Sequence, residues 1–233
     1  MRMLQRLAVM GVVAALSAPA SANVVEKSGR FGGLDLTYKV VLPPGYDSAK
    51  AYPLVLVFTG GSQIARIADG TIANDWREAA ERRGYVVAVP VAPNGQLFFA
   101  GGDKVFPEFL DYLKKEYRPP GGKMHVAGHS NGGLSAFHVA ALYPSYFRTL
   151  TGYPGLLDDK DPRRAAALKP LCIFMHVGDQ DSGWLSAMQD QAESMGRSGY
   201  DVTFTVEKNQ IHRLNAPEID LSRRLFDQLE SCT

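Results

Sequence analysis

The stretch VAGHSNGG, residues 126–133, decides the fold of this chain. It contains the spacing Gly-x-Ser-x-Gly, with Gly128, Ser130 and Gly132 at the fixed positions, between an apolar strand-like run and a helix-like run. A serine in so tight a turn needs unusual backbone angles, and the flanking glycines keep Cβ atoms out of it. We predict a strand–turn–helix elbow that exposes Ser130 beside the amide of Asn131 at the helix N-terminus. The plainer alternative is a glycine-rich turn that caps a helix.

The sequence around this stretch alternates between strand-like and helix-like patterns. An alternating stretch at 34–42 predicts an antiparallel strand, and the continuous apolar runs that follow are typical of strands buried on both faces. Further strands are predicted at 52–58, 85–91, 124–127, 147–151, 171–177 and 201–206, and helices at 74–83, 103–117, 134–142, 186–197 and from about Pro217 to the end. This order predicts an α/β domain with one doubly wound, mainly parallel sheet flanked by helices. Its sites would lie at the carboxyl ends of the strands.

The first 22 residues are predicted to be a secretory signal peptide. Arg2 and Arg6 form a basic head, an apolar run follows, and small residues end at Ala22. The apolar run is shorter than the roughly 20 residues of a membrane span, so a retained anchor is the weaker alternative. We expect a secreted or periplasmic protein without stable membrane association, in which residues 23–233 form the one folded domain.

Charge and cysteine content limit the partners and the compartment. The chain has 25 Lys and Arg against 24 Asp and Glu, so there is no basic excess to suggest nucleic acid or an anionic membrane as a partner. Its two cysteines, Cys172 and Cys232, could form a disulfide in an oxidising compartment. Two unpaired thiols fit the sequence equally well, and the oligomeric state is left open.

A serine hydroxyl becomes a nucleophile when a histidine removes its proton and an acid orients that histidine. Of the five histidines, His212 lies in a loop just past a predicted strand, so we predict that it is the base. Two carboxylates follow the strand that ends at Gly178. Asp181 is the predicted acid because it has turned far enough to reach across, whereas Asp179 is expected to hydrogen-bond the backbone of its own turn. The order serine, acid, histidine is that of α/β-hydrolases.

An oxyanion formed at Ser130 needs backbone donors close to it. The Asn131 amide is one candidate. The turn TGGS, residues 59–62, follows the first buried strand at the same sheet edge, and either Gly61 or Ser62 could supply the second donor. A merely flexible glycine turn is the alternative.

These motifs together resemble the α/β-hydrolases, and in particular small exported esterases related to polyhydroxybutyrate depolymerases and feruloyl esterases. The residues that carry the resemblance are PLVLV at 53–57 leading to Gly60-Gly61, GYVV at 84–87 with Pro90, GHSNGG at 128–133, Tyr143-Pro144 with Phe147, Gly178-x-x-Asp181, and His212. The resemblance implies the same nucleophile, oxyanion loop, acid and base. One departure is Thr59-Gly60, where these families have His-Gly, so the support of that loop must differ.

The segment 153–170 is too short to form a cap domain, which predicts an open site. Four aromatic side chains in loops, Trp184, Phe98, Phe99 and Tyr153, are expected either to line a substrate pocket or to pack beneath the loops. We therefore expect a serine esterase that cleaves small-molecule or polymeric acyl or aryl esters without metal or cofactor. The alternatives are a peptidase or acyltransferase with the same residues, or a catalytically silent binding protein.

Overall fold

An open sheet of eight strands lies at the centre of the described part of the protein, residues 23–215 and 217–232 of a computed structural model. The strands are β1 (Asn23–Phe31), β2 (Leu34–Leu42), β3 (Leu54–Phe58), β4 (Val86–Pro90), β5 (Met124–Gly128), β6 (Phe147–Gly152), β7 (Cys172–Gly178) and β8 (Val202–Glu207). Their order is β1-β2-β4-β3-β5-β6-β7-β8. The pairs β1–β2 and β2–β4 are antiparallel and the others parallel. The predicted sheet is confirmed, and the predicted signal peptide lies outside the described residues.

Helices cover both faces of this sheet. The α-helices are α1 (Ala65–Thr71), α2 (Arg77–Arg83), α3 (Glu108–Tyr117), α4 (Asn131–Leu142), α5 (Pro162–Ala167), α6 (Ser182–Arg197) and α7 (Leu221–Ser231). A π-helical turn, Ile72–Trp76, joins α1 to α2. Single 3₁₀ turns lie at Pro93–Gly95, Gly102–Val105, Pro120–Gly122 and Pro144–Tyr146.

The continuous apolar run of β3 is explained by burial on both faces. Leu54, Leu56 and Phe58 pack into the core that contains residues of α3, α4 and α6, while Val55 and Val57 pack into the core beneath α1, α2 and α7. Alternate residues of a strand point to opposite faces, so a central strand between two helical layers needs apolar side chains at every position.

Several element boundaries differ from the sequence prediction. Strand β1 was not predicted, because most of its side chains are exposed or half-buried and show no apolar face. The helix predicted at 74–83 starts within the π-helical turn and continues as α2 from Arg77, and α1 before it was not predicted. The helix predicted at 103–117 begins at Glu108 after a 3₁₀ turn, and the last helix begins at Leu221 rather than near Pro217.

A disulfide joins the first residue of β7 to the end of the chain. Cys172 and Cys232 are bonded, with their Cα atoms 6.2 Å apart, which decides between the two alternatives that the sequence left open. The bond fixes α7 to the sheet in addition to the four buried apolar residues of that helix, Leu221, Leu225, Phe226 and Leu229.

Candidate active site

The turn between β5 and α4 holds Ser130 in a strained conformation, with φ of 58° and ψ of −122°. Few residues other than glycine adopt a positive φ, so the surrounding packing must impose it. A Cβ atom on Gly128 would lie 2.0 Å from the carbonyl oxygen of Gly132, and one on Gly132 would lie 2.1 Å from that of Phe58. Residues 128–133, the serine elbow, thus form the predicted strand–turn–helix connection, and both glycines are required by close backbone contact.

Ser130 lies in a continuous chain of hydrogen bonds with His212 and Asp181. The Ser130 hydroxyl is 2.8 Å from His212 Nε2, and His212 Nδ1 is 2.7 Å from Asp181 Oδ2. An ionised carboxylate only accepts hydrogen bonds, so Nδ1 carries the proton and Nε2 is free to accept the one from the serine. His212 lies in the connection between β8 and α7, and we call the described residues of this connection, 208–215 and 217–220, the histidine loop. The structure therefore brings together the three side chains that the sequence singled out.

The two competing carboxylates have different partners. Asp181 contacts the His212 ring and its side chain is 10% exposed, whereas the His212 side chain is 40% exposed. Asp179 instead accepts a 3.3 Å hydrogen bond from the backbone amide of Gln210. The expectation that Asp179 binds the backbone of its own turn is corrected, because its partner belongs to the histidine loop.

The remaining four histidines have partners other than Ser130. His125 contacts Thr149, His138 contacts Asp103, His176 contacts Glu207 and Gln228, and His129 contacts the backbone of His212. Burial lowers the pKa of His125 and of His129 to about 4, so both rings are neutral at pH 7. The choice of His212 among the five thus agrees with the geometry.

The predicted oxyanion loop, residues 59–62, is held by Gln63 rather than by the residue at position 59. Thr59 is fully buried and its hydroxyl has no hydrogen-bond partner. The buried Gln63 side chain donates to the Ser135 hydroxyl at 2.9 Å and accepts from the Phe98 amide at 3.2 Å. The Asn131 side chain donates to the carbonyl of Gly61 at 2.9 Å. Two side chains therefore tie this loop to the elbow helix, a support that the sequence did not reveal.

The four aromatic residues predicted to line the site divide into two groups. Trp184 lies beside the histidine, with 5.6 Å between the ring centroids, and Phe99 is half-buried. Phe98 and Tyr153 are fully buried, so for these two the predicted substrate contact is corrected. Phe98 packs against Phe58 in the core, and the Tyr153 hydroxyl accepts a hydrogen bond from Trp76.

Comparison with solved structures identifies the architecture. A ferulic acid esterase superposes with a TM-score of 0.72 at 18% identity, over 89% of this chain and 98% of that chain. An S-formylglutathione hydrolase from Staphylococcus aureus superposes with a TM-score of 0.68 at 14% identity, over 90% of this chain and 99% of that chain. The chain has the α/β-hydrolase fold. At these identities the likeness establishes the fold and leaves the substrate to be argued from the site.

One curated protein is similar in sequence to part of this chain. Dipeptidyl-peptidase 5 from Porphyromonas gingivalis is 32% identical over 145 residues, which is 54% of this chain. The chain spans about a fifth of the length of that relative. No protein-family model matches the chain.

Several residues beside the site were missed by sequence reasoning. His129 directly precedes Ser130, and Arg213 directly follows His212. These positions place both residues near the site, but the sequence does not indicate which residues they contact. Asp75 is buried on the π-helical turn and Gln210 is buried in the histidine loop. Nothing in the local sequence pairs Asp75 with a loop more than 130 positions away.

The described residues contain neither a candidate metal site nor a candidate membrane-spanning helix. Residues 23–215 and 217–232 contain no group of three or more His, Cys, Asp or Glu side chains that could hold a metal ion. In the same part of the chain, no helix combines the length and the hydropathy that crossing a membrane requires.

Proposed function

We propose that the protein is a serine hydrolase that cleaves carboxylic esters through an acyl-enzyme intermediate. The observation that carries the proposal is the hydrogen-bonded chain from Ser130 through His212 to Asp181, with the serine raised on a strained elbow. A serine, a base and an orienting acid at these distances make up the apparatus that acyl transfer needs.

In the proposed reaction, Ser130 Oγ attacks the ester carbonyl while His212 Nε2 takes the serine proton. Asp181 holds the imidazole in the required tautomer and stabilises the imidazolium that forms. The tetrahedral intermediate collapses to the acyl-enzyme, and the alcohol leaves with the proton from His212. A water molecule then attacks the acyl group, with His212 again as base, and the acid product leaves Ser130 free.

We propose the amides of Asn131 and Gly61 as the oxyanion donors. Asn131 is the first residue of α4, so its amide has no acceptor within the helix and lies at the positive end of the helix dipole. The Gly61 carbonyl is taken by the Asn131 side chain. Because the C=O and N–H of a trans peptide point in opposite directions, the Ser62 amide points away from that side chain, which favours Gly61 as the second donor.

The proposed substrates are acyl or aryl esters on small-molecule or polymeric carriers. The connection between β6 and β7 contains only the six-residue helix α5, and the His212 side chain is 40% exposed, which favours an open site. Trp184 and Phe99 are the remaining aromatic candidates for substrate contact. The names of the two structural neighbours, a ferulic acid esterase and an S-formylglutathione hydrolase, support acyl transfer to water, and no cofactor enters the proposed steps. Residues 1–22 are proposed as the export signal of this hydrolase domain.

Peptide hydrolysis is the second candidate, because the partial relative is named as a dipeptidyl-peptidase. An acyltransferase is less well supported, since transfer to an alcohol requires that water be excluded. A catalytically silent binding protein is less well supported, because binding alone does not explain the strained backbone at Ser130.

The test is a substrate panel on the purified protein. We expect hydrolysis of p-nitrophenyl esters and of methyl ferulate, slower or no cleavage of dipeptidyl anilides, and loss of all turnover in Ser130→Ala. Preferential cleavage of the anilides would replace the esterase proposal by the peptidase. Activity that survives in Ser130→Ala would refute both.

A further inference from the structure

The histidine loop has no helix or strand to fix His212. Residues 208–215 and 217–220 form turns and irregular backbone, and the imidazole is substantially exposed. One end of the loop is anchored through Gln210, whose carbonyl accepts from the Gln180 amide at 3.0 Å. Proton transfer requires the ring to stay within hydrogen-bond distance of Ser130, so contacts at His212 itself must hold its backbone as well.

One such contact comes from His129, the residue before the serine. Its Nε2 lies 3.2 Å from the backbone carbonyl oxygen of His212. A carbonyl oxygen only accepts hydrogen bonds, so Nε2 of the neutral His129 ring carries the proton and Nδ1 carries none. Nδ1 faces Gly60, where an added Cβ would lie 2.6 Å from it. The buried ring of His129 thus lies between the predicted oxyanion loop and the histidine loop.

A second contact comes from Asp75 on the π-helical turn. Its Oδ1 accepts a 2.8 Å hydrogen bond from Arg213, the residue after His212. The neighbouring Trp76 donates to the Tyr153 hydroxyl at 2.8 Å, and the Tyr153 ring lies 5.7 Å from that of His129. The two contacts therefore belong to one packed group behind His212. π-Helical turns inside helices occur frequently at functional sites.

We infer that Asp75, His129 and Arg213, the support cluster, are positioning residues that hold the histidine loop so that His212 stays aligned with Ser130. The inference rests on the proposed function, because it assigns these residues to the alignment of the proposed base. His129 acts on the backbone of His212, and the ion pair between Asp75 and Arg213 acts on the next residue. None of the three touches the reacting atoms.

Asp75 is a buried carboxyl whose surroundings disfavour its ionised form. Its side chain is 1% exposed, and Oδ2 completes no hydrogen bond. Burial raises its pKa to about 6, although the charge of Arg213 and the Tyr153 hydroxyl lower it. A carboxyl whose pKa is raised in the folded state stabilises the fold at low pH and loses that contribution as pH rises through the folded pKa. Asp75→Asn should therefore not lower the melting temperature at pH 7.

The test measures kcat, KM and melting temperature for matched variants. The amide side chain in His129→Gln would still offer an N–H to the His212 carbonyl, whereas the aliphatic side chain in His129→Leu would not. We expect His129→Leu to lower kcat about 10- to 100-fold with KM within about twofold, and His129→Gln to stay within about threefold of the wild type. Asp75→Asn should lower kcat about tenfold at an unchanged or raised melting temperature.

His125 provides the control, because it is as buried as His129, lies on β5 and has a pKa lowered to the same value. His125→Leu should lower the melting temperature and keep kcat. Unchanged kcat in both His129→Leu and Asp75→Asn would overturn the inference, and so would a His129→Gln variant no better than His129→Leu.

Amide hydrogen exchange of the peptide covering 208–220 gives a readout that needs no turnover. It should be faster in His129→Leu and Asp75→Asn than in the wild type, and unchanged in His125→Leu. If the wild type hydrolyses no ester, the proposed function is refuted. The exchange rates would still test whether Asp75 and His129 hold the histidine loop. Equal rates in all variants would contradict it.

Discussion

The serine elbow and the histidine loop meet at the hydrogen bond between Ser130 and His212, but different contacts hold them. The elbow is held by its own backbone, which touches neighbouring backbone at Gly128 and Gly132 with no room for a methyl group. The histidine loop is held by side chains from distant elements, namely Asp75, His129, Asp179 and Asp181. Changes in the elbow should therefore act mainly on folding, and changes around the loop mainly on turnover.

The largest effect is expected for the acid that contacts the histidine ring. Asp181→Asn would favour the wrong tautomer of His212, and kcat should fall by about 10⁴-fold while the melting temperature changes little. The measurement is steady-state hydrolysis of a p-nitrophenyl ester together with thermal unfolding.

Asp179→Asn is the matched control, because Asp179 contacts the Gln210 amide of the histidine loop and not the His212 ring. It should lose at most about tenfold in kcat, since the ring contact remains. If Asp179→Asn is crippled while Asp181→Asn stays active, the assignment of the two carboxylates is reversed.

The elbow should respond to a single methyl group by losing stability. Gly132→Ala would place a Cβ 2.1 Å from the Phe58 carbonyl oxygen. We expect destabilisation by about 3 kcal/mol or more, measured by urea unfolding. Gly70→Ala in α1 meets nothing within 4 Å and should instead be neutral or stabilise by up to about 1 kcal/mol. Similar unfolding curves for the two variants would show that the elbow tolerates more volume than its geometry implies.

A region could be predicted from the sequence where its contacts join residues that are close in the chain, and could not where they join distant residues. The elbow could be predicted because residues 126–133 contain the glycines that its turn needs, and the sheet because apolar runs mark buried strands. Strand β1 was missed because its stability comes from pairing with β2. The support by Gln63 and Asp75 could not be seen, since each meets partners that are distant in the chain.

pH should act with opposite signs on two side chains that hold the histidine loop, His129 and Asp75. The pKa of His129 is lowered to about 4 from 6.5, so the unfolded chain binds more protons between these values and the contribution of His129 to stability falls as pH drops. The pKa of Asp75 is raised from 3.8 to about 6, so its contribution falls as pH rises. Between pH 4.5 and 6.5 each effect amounts to about 2 kcal/mol.

Urea unfolding at these two pH values checks the signs. Relative to the wild type, His129→Gln should gain less stability on going from pH 4.5 to 6.5, and Asp75→Asn should gain more. Equal pH dependence in the wild type and both variants would show that neither group titrates differently in the folded state.

The most direct test of the account is the reaction of Ser130 with a fluorophosphonate, followed by intact and peptide mass spectrometry. We expect one adduct per chain, located on Ser130. It should be absent in Ser130→Ala and form much more slowly in His212→Gln. An unlabelled wild type, or an adduct that persists in Ser130→Ala, would contradict the claim that Ser130 is the activated nucleophile of this fold.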